Sequence, residues 1–143
     1  MTIHHPNRIV PLQTELRVET EQTPRPYSEW REDERRRAED AAHTFGYYLM
    51  KHCRDKAIAG LPPDMAPEDR ASAIEAVHAA LHNVMDMLEG FWRLESGPTY
   101  TVKYQLSVVV MDQRGTMVEN VDITTGLDLP IGFWGWAKDG EFR

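Results

Sequence analysis

The sequence of 143 residues has one cysteine, few basic residues and no long apolar run, and each shortage excludes a class of protein. Cys53 cannot form a disulfide within the chain, and this cysteine usage is typical of a reducing compartment. Lysine and arginine number 16 against 23 acidic residues, and the formal charge of −7 disfavours binding to a phosphate backbone. The longest nearly apolar run, residues 106–111, is far shorter than the roughly 20 residues that span a bilayer. We therefore expect a cytoplasmic protein that binds neither nucleic acid nor membrane.

Sequence motifs of several enzyme classes are also absent. The chain has no glycine-rich phosphate-binding loop, and it has no G-x-S-x-G segment of the kind that carries a hydrolase nucleophile. No catalytic signature surrounds Cys53, so we interpret this residue as a small apolar side chain. These absences favour a protein without catalytic residues and without a cofactor.

Residues 10–20, VPLQTELRVET, alternate between two kinds of side chain. The even positions carry apolar residues or threonine, whereas the odd positions from Gln13 to Glu19 are polar. A period of two predicts a β-strand with one buried face and one solvent-facing face. Residues 1–8, before this strand, are expected to be a flexible end.

Two amphipathic helices are predicted next. From residue 27 to about residue 59 apolar side chains recur at helical spacing, and His52 falls on that side as a core histidine, whereas the charged residues 29–40 face solvent. Pro67 suits the start of a second helix. Its apolar stripe consists of Ile74, Val77, Leu81, Val84, Leu88 and Phe91. The short connection predicts that the two helices pack as an antiparallel hairpin.

The last part of the chain returns to strand patterns. Residues 99–111 have a period of two with the even positions inward, and DQRG at 112–115 predicts a turn into a second strand at about 117–124. Residues 126–143 form a tail rich in glycine, proline and aromatic residues, without a clear period.

This order of elements, β-α-α-β-β followed by an aromatic C-terminal tail, predicts the α+β class. We expect a single domain over residues 1–143, built as a two-layer sandwich. In this sandwich the antiparallel helical hairpin covers one face of an antiparallel sheet of about three strands. The pairing of the first strand remains open: it lies beside the strand at 99–111, or it crosses to a second copy of the chain.

His78 and His82 lie four residues apart on the second predicted helix, a spacing at which two imidazoles can share a metal ion. Asp86 and Glu89 follow within two turns and could supply carboxylates. The zinc-protease pattern requires a glutamate directly after the first histidine, but position 79 is alanine. We therefore expect no metal, and we interpret the histidines as packing against the sheet edge or the neighbouring helix. A metal-dependent hydrolase or oxidase that uses this pair is the alternative hypothesis.

The aromatic tail contains the segment IGFWGW at residues 131–136, with Phe133, Trp134 and Trp136 close together. Large rings dominate the energetics of both cores and interfaces, so two interpretations remain open. In the first, the tail folds back and fills the open end of the helix–sheet layer. In the second, these three residues bind a partner, with neighbouring charged residues as a polar rim.

The resulting hypothesis is a small acidic cytoplasmic protein without enzymatic activity, an accessory or protein–protein interaction protein. Its predicted partner is another protein or a second copy of the chain, which would make it a homo-oligomer. A small-ligand site between helices and sheet is a weaker alternative, because no set of converging polar residues is apparent.

Overall fold

The computed structural model describes residues 23–137, so the predicted strand at 10–20, the predicted flexible end at 1–8 and the last residues of the tail lie outside the described part. Within this part the chain belongs to the α+β class. The helices are α1 (Glu34–Tyr48), α2 (Asp55–Ala59), α3 (Pro67–Glu89) and α4 (Leu129–Trp136). The strands are β1 (Leu94–Glu95), β2 (Thr101–Val102), β3 (Ser107–Met111) and β4 (Met117–Asp122). A 3-10 turn at Tyr27–Glu29 precedes α1, and a π-helical segment at Leu49–Arg54 joins α1 to α2.

The first helix begins later than predicted. The side chain of Asp33 accepts a hydrogen bond from the backbone N–H of Arg36 at 3.1 Å and thereby caps α1, which starts at Glu34. An N-terminal cap of this kind satisfies one of the backbone donors that the first turn leaves without a partner. The charged residues before Glu34 therefore lie in turns rather than on a helix face.

The π-helical segment changes which residues of this helical region point inward. His52, predicted to lie in the core, is exposed and stacks on the ring of Tyr48 with the centroids 5.6 Å apart. Met50 and Arg54 are buried instead. A π-helix has more residues per turn than an α-helix, so a wheel drawn at the α-helical period assigns the wrong face.

Helix α3 starts at Pro67 as predicted, with Glu68 and Asp69 in its first turn. Gly90 ends it in the left-handed conformation, at φ 81°. The predicted helical hairpin is not evident in residues 23–137. Helix α4 contacts both α1 and α3, whereas α3 meets the first helical region chiefly at α2 and the π-helical segment. The C-terminal tail therefore occupies the space in which the two predicted helices would have packed together.

The strand predicted at residues 99–111 is divided in two. Strand β2 pairs with β1 and strand β3 pairs with β4, both antiparallel, so the described residues contain two two-stranded sheets rather than one sheet of three strands. Tyr100 and Tyr104, predicted to point inward, are 74% and 51% exposed. The chain leaves the extended ladder between β2 and β3, and side chains on either side of the break no longer share one face.

In the β3–β4 hairpin, β3 follows the predicted alternation, whereas Met117 of β4, predicted to point inward, is 60% exposed because a register shift lies between Val110 and Met111. Val108 pairs with Val121 and Val110 with Glu119, and these residues point toward α1. Gly115 adopts φ 83° in the turn, which favours glycine.

The core between the helices and this hairpin is formed by Trp30, Ala41, Ala42, Met50, Met85, Ile123, Leu129, Phe133 and Ala137. In the described part, no helix is both long and apolar enough to cross a membrane.

An ion pair fixes the hairpin to α1. The Arg37 guanidinium donates from Nε to Oε2 of Glu119 and from Nη2 to Oε1, both at 2.8 Å, and Tyr27 Oη donates to the same carboxylate at 2.6 Å. These hydrogen bonds lower the pKa of Glu119 from 4.5 to about 2. Two-point binding of a guanidinium to a carboxylate also fixes their orientation, so the inner face of β4 is held at a defined distance from α1.

Replacing Glu119 with glutamine should reduce stability in a pH-dependent way. Because the pKa of Glu119 is lower in the folded chain, the ion pair contributes fully above about pH 4.5, and its contribution disappears as the pH falls toward 2. We expect Glu119→Gln to have a lower midpoint of chemical unfolding than the wild type at pH 7, and the two midpoints to converge near pH 2. Glu75→Gln, at an exposed position on α3, is the control and should follow the wild type throughout. A constant difference across this range would contradict the assignment.

Candidate functional site

Most of the residues singled out by the sequence meet where α3 packs against α4. The ring of Phe133 is completely buried and is approached edge-on by two imidazoles. Its centroid lies 5.8 Å from that of His78 and 5.4 Å from that of His82, with interplanar angles of 79° and 75°. Edge-to-face packing of this kind is favourable between aromatic rings. The histidines were expected to pack against the sheet edge or the neighbouring helix, and the structure places them against α4, the helix formed by the C-terminal tail.

This arrangement shows which side of α3 points inward. His78 and Met85 are buried, whereas Val84 and Phe91, which belong to the predicted apolar stripe, are 42% and 69% exposed. In the predicted two-layer sandwich, the apolar stripe of this helix would cover a sheet. In the structure α3 is covered by α4 instead, so the inward side is the one that carries the histidines.

The two acidic residues of the alternative metal hypothesis have structural partners. Asp86 Oδ2 lies 3.4 Å from His82 Nδ1, one helical turn away. Glu89 Oε2 accepts a hydrogen bond from the backbone N–H of Leu129 at 3.2 Å, and it therefore caps the N-terminus of α4 from a different helix. Burial raises the pKa of Glu89, and the hydrogen bond from Leu129 offsets this effect only in part.

The alternative hypothesis of a metal site at His78 and His82 gains no support from this geometry. Each imidazole contacts the Phe133 ring, and Glu89 is bound to the start of α4. Within residues 23–137, no three His, Cys, Asp or Glu side chains form a group that could hold a metal ion. A site for Zn²⁺ needs three or four such ligands at about 2 Å from the ion.

Trp136 packs on the first helical region. Its Nε1 donates to His43 Nδ1 at 3.2 Å, and its ring lies edge-on to Phe45 with the centroids 5.9 Å apart. The same ring covers Gly46, where a Cβ atom would overlap it. Trp136 is half-buried, and the side chain of Trp134 lies outside the described part. The partner-binding role of Phe133, Trp134 and Trp136 stays a prediction. The ring of Phe133 is buried and therefore belongs to the hydrophobic core.

Two charged residues in the interior were missed by the sequence analysis. Asp40 is 2% exposed and accepts hydrogen bonds from the backbone N–H of Arg31 at 2.8 Å and from its guanidinium. Burial acts to raise the pKa of Asp40, but the hydrogen bonds from Arg31 outweigh it and lower that pKa. Arg54 is 5% exposed and donates to the carbonyl oxygen of Ala137, just after α4. The burial of these two charged residues could not be predicted from the sequence, because charged side chains are seldom buried.

The exposed apolar side chains are concentrated on the two sheets and their flanks. Nine of the twelve large apolar residues that are exposed in the described part lie between residues 91 and 118. Four of them form what we call the outer sheet face, the side of β3–β4 away from the helices: Val109, Met111, Met117 and Val118, which are 46%, 60%, 60% and 52% exposed. Met111 lies directly opposite Met117 in the ladder.

A groove lies on the other side of this hairpin, between β4 and α1, with a volume of about 570 Å³. Residues 119–122 of β4 form one wall, α1 forms the other, and residues 125–127 also line the groove. Charged groups at its rim are bound within the protein, as the Arg37–Glu119 pair and the Arg35–Glu39 pair show. The groove therefore presents few polar groups that converge on a common point, which a small polar ligand would require.

Comparison with protein-family models, with curated proteins and with solved structures gave no match. The function of the chain is therefore inferred from its own side chains and backbone.

Replacing Phe133 with alanine should destabilise the fold strongly. Loss of a fully buried phenylalanine ring typically costs about 3–5 kcal/mol of unfolding free energy, because the neighbouring side chains fill the cavity only in part. Chemical denaturation of Phe133→Ala tests this, with Phe91→Ala as the control at a position that is 69% exposed. If Phe133→Ala instead kept its stability and lost affinity for a partner, the ring would be a contact residue, as the second interpretation of the tail predicts.

Gly46 should tolerate a methyl group only when the Trp136 ring is removed. A Cβ at position 46 would overlap this ring, so Gly46→Ala should lose about 1–3 kcal/mol of unfolding free energy, despite the higher helix propensity of alanine. In a Trp136→Ala background the same change should be neutral or stabilising by up to about 1 kcal/mol. Gly135→Ala is the matched control, since a Cβ there meets no atom within 4 Å. Equal effects of Gly46→Ala in both backgrounds would contradict the proposed contact.

Proposed function

We propose that this protein is a non-enzymatic accessory protein that acts through protein–protein contact, and that it associates with a second copy of itself through the outer sheet face. The observation that carries this proposal is the concentration of exposed apolar side chains between residues 91 and 118. Contiguous apolar surface on a folded protein is characteristic of an interaction site.

The composition of the outer sheet face supports contact between identical surfaces. Its four side chains are uncharged, and the two methionines are flexible and adapt to an irregular apolar partner surface. In a symmetric dimer the same patch lies on both sides of the interface, so an apolar patch meets an apolar patch. Complete removal of an exposed side chain of this size from water contributes about 1.5–3 kcal/mol, and these four, which are 46–60% exposed, can still gain about half of that each.

A stable interface buries about 800 Å² on each partner, which is more than four side chains supply. A second exposed group lies nearby in the sequence: Phe91, Trp92, Tyr100, Val102 and Tyr104. Aromatic residues are enriched at protein interfaces. We include this group in the proposed contact as the additional area.

The net charge bears on how the two copies meet. At a formal charge of −7, two chains repel each other over distances of about 10 Å, and salt screens this repulsion. A dimer held by apolar contact should therefore become tighter as the salt concentration rises. The single cysteine, exposed at position 53, supports placement in the reducing cytoplasm.

A charge placed on the outer sheet face should weaken self-association. We expect Val109→Lys to raise the dimer dissociation constant by about tenfold or more, since a lysine in an apolar contact costs at least about 1.4 kcal/mol of binding free energy. Sedimentation equilibrium at several salt concentrations measures this constant. Val84→Lys is the matched control, because Val84 and Val109 are similarly exposed, at 42% and 46%, but Val84 lies on α3.

Three results would contradict the proposal. The first is a wild-type chain that remains monomeric at the highest attainable concentration, in low and in high salt. The second is an equal loss of association in Val84→Lys and Val109→Lys, which would place the contact elsewhere. The third is dissociation on addition of salt, because this would indicate a contact held by opposite charges rather than by apolar burial.

A further inference from the structure

A second feature of the β3–β4 hairpin, separate from the outer sheet face, is the free edge of β4. In an antiparallel ladder, residue pairs that exchange hydrogen bonds alternate with pairs that do not. The N–H of Ile123 donates to the carbonyl of Leu106 at 3.0 Å, so the pairs at 108/121 and 110/119 are hydrogen-bonded pairs. The backbone N–H and C=O groups of Asn120 and Asp122 must therefore point away from β3.

These edge groups open into the groove between β4 and α1. Residues 119–122 form its wall, and neither the Asn120 nor the Asp122 backbone N–H has a hydrogen-bond partner among residues 23–137. An edge strand with free backbone groups readily accepts a further strand. The lining of the groove combines charged residues of α1 and β4 with the apolar residues Ala38, Val121 and Leu127. The groove therefore fits an extended segment with apolar side chains on one face and polar side chains on the other.

The chain contains one such segment outside the described part. Residues 10–20 have apolar residues at four of the six even positions and polar residues at the odd positions from 13 to 19. As a strand of 11 residues it would be roughly 36 Å long, against roughly 20 Å for the six residues of β4. Its length is therefore sufficient to pair along the whole of β4.

The position of the first described residues favours binding of residues 10–20 to the groove of their own molecule rather than to that of a second copy. Tyr27 Oη donates to Glu119, so the chain approaches α1 beside the middle of β4. Only six residues, 21–26, separate the segment from Tyr27, and they span up to roughly 20 Å when extended. A short connection gives the segment a high effective concentration at the adjacent groove, whereas a second copy must first bind from solution.

We propose that the groove between β4 and α1 is a strand-acceptor site, and that residues 10–20 of the same chain pair with the free edge of β4 as a third strand. In this arrangement the apolar side of the segment faces Val121 and Ala38, on the same side as the inward residues of β3 and β4. The polar side faces the same way as the outer sheet face without covering it. The proposal uses backbone groups of the edge and therefore does not depend on the proposed self-association.

Hydrogen exchange of individual amides, measured by NMR on the full chain, tests this assignment. The amides of Asn120 and Asp122 should exchange slower than that of Val109 by roughly 100-fold or more, because an amide bonded within a sheet exchanges only after opening. Val109 is the internal control, since its N–H points to the opposite edge, away from β4. Leu16→Pro should abolish this difference, because proline cannot continue a paired strand. Ile3→Pro, outside the segment, should preserve it.

Several outcomes would overturn the proposal. Fast exchange of Asn120 and Asp122 in the wild type would mean that no strand occupies the edge. Protection that persists in Leu16→Pro would mean that another segment covers it. Protection that appears only together with a dimeric mass, at rising concentration, would assign the strand to a second copy.

A global effect of the proline is detected separately. If Leu16→Pro also removed the protection of the Val108 and Val121 amides, which bond within the hairpin, the whole chain would have unfolded. Cross-strand nuclear Overhauser effects in the wild type then decide the question. Contacts between backbone protons, amide or Hα, of residues 10–20 and those of β4 support the proposal, and their absence in the assigned spectrum refutes it.

Discussion

The burial of Phe133 between α3 and the rest of the core is the constraint on which most of the structure depends. Leu129, Phe133 and Ala137 are all buried at a spacing of four residues, so one side of α4 is inserted between the two long helical regions. Protein interiors leave few voids, and α3 must therefore present side chains that fit around this helix. The inward side of α3 carries His78 and Met85, and part of its apolar stripe is left in solvent. The inward position of His78 and the exposure of Val84 and Phe91 thus have a common cause.

The parts of the fold that could be predicted are those in which the pattern is local. The alternation of Val108, Val109 and Val110, the turn at Gly115 and the start of α3 at Pro67 follow from neighbouring residues, and the structure confirms them. Features that depend on distant residues could not be predicted. The π-helical segment moves His52 to the surface, and the inward side of α3 depends on a helix more than forty residues further along the chain. A glycine inside the pattern of α1 was a signal of close approach, but nothing in the sequence identified Trp136 as the ring that covers Gly46.

The β3–β4 hairpin combines two surfaces with different chemistry. The outer sheet face offers side chains and little specificity, since any apolar surface of suitable shape can cover it. The edge of β4 offers backbone groups, which accept only an extended strand. The Arg37–Glu119 pair connects the two, because it fixes β4 relative to α1 and thereby sets the width of the groove. Helix α1 therefore provides one wall of the groove and also holds the opposite wall, β4, in position.

The contact between Gly46 and Trp136 has a consequence for how this sequence can diverge. The two positions lie far apart in the chain, yet a side chain at one excludes a large ring at the other. A lineage that gains a larger residue at position 46 before it loses the tryptophan passes through a poorly folded intermediate, whereas the reverse order does not. The two substitutions are therefore expected to be historically ordered and statistically correlated, which would make this pair a marker of descent.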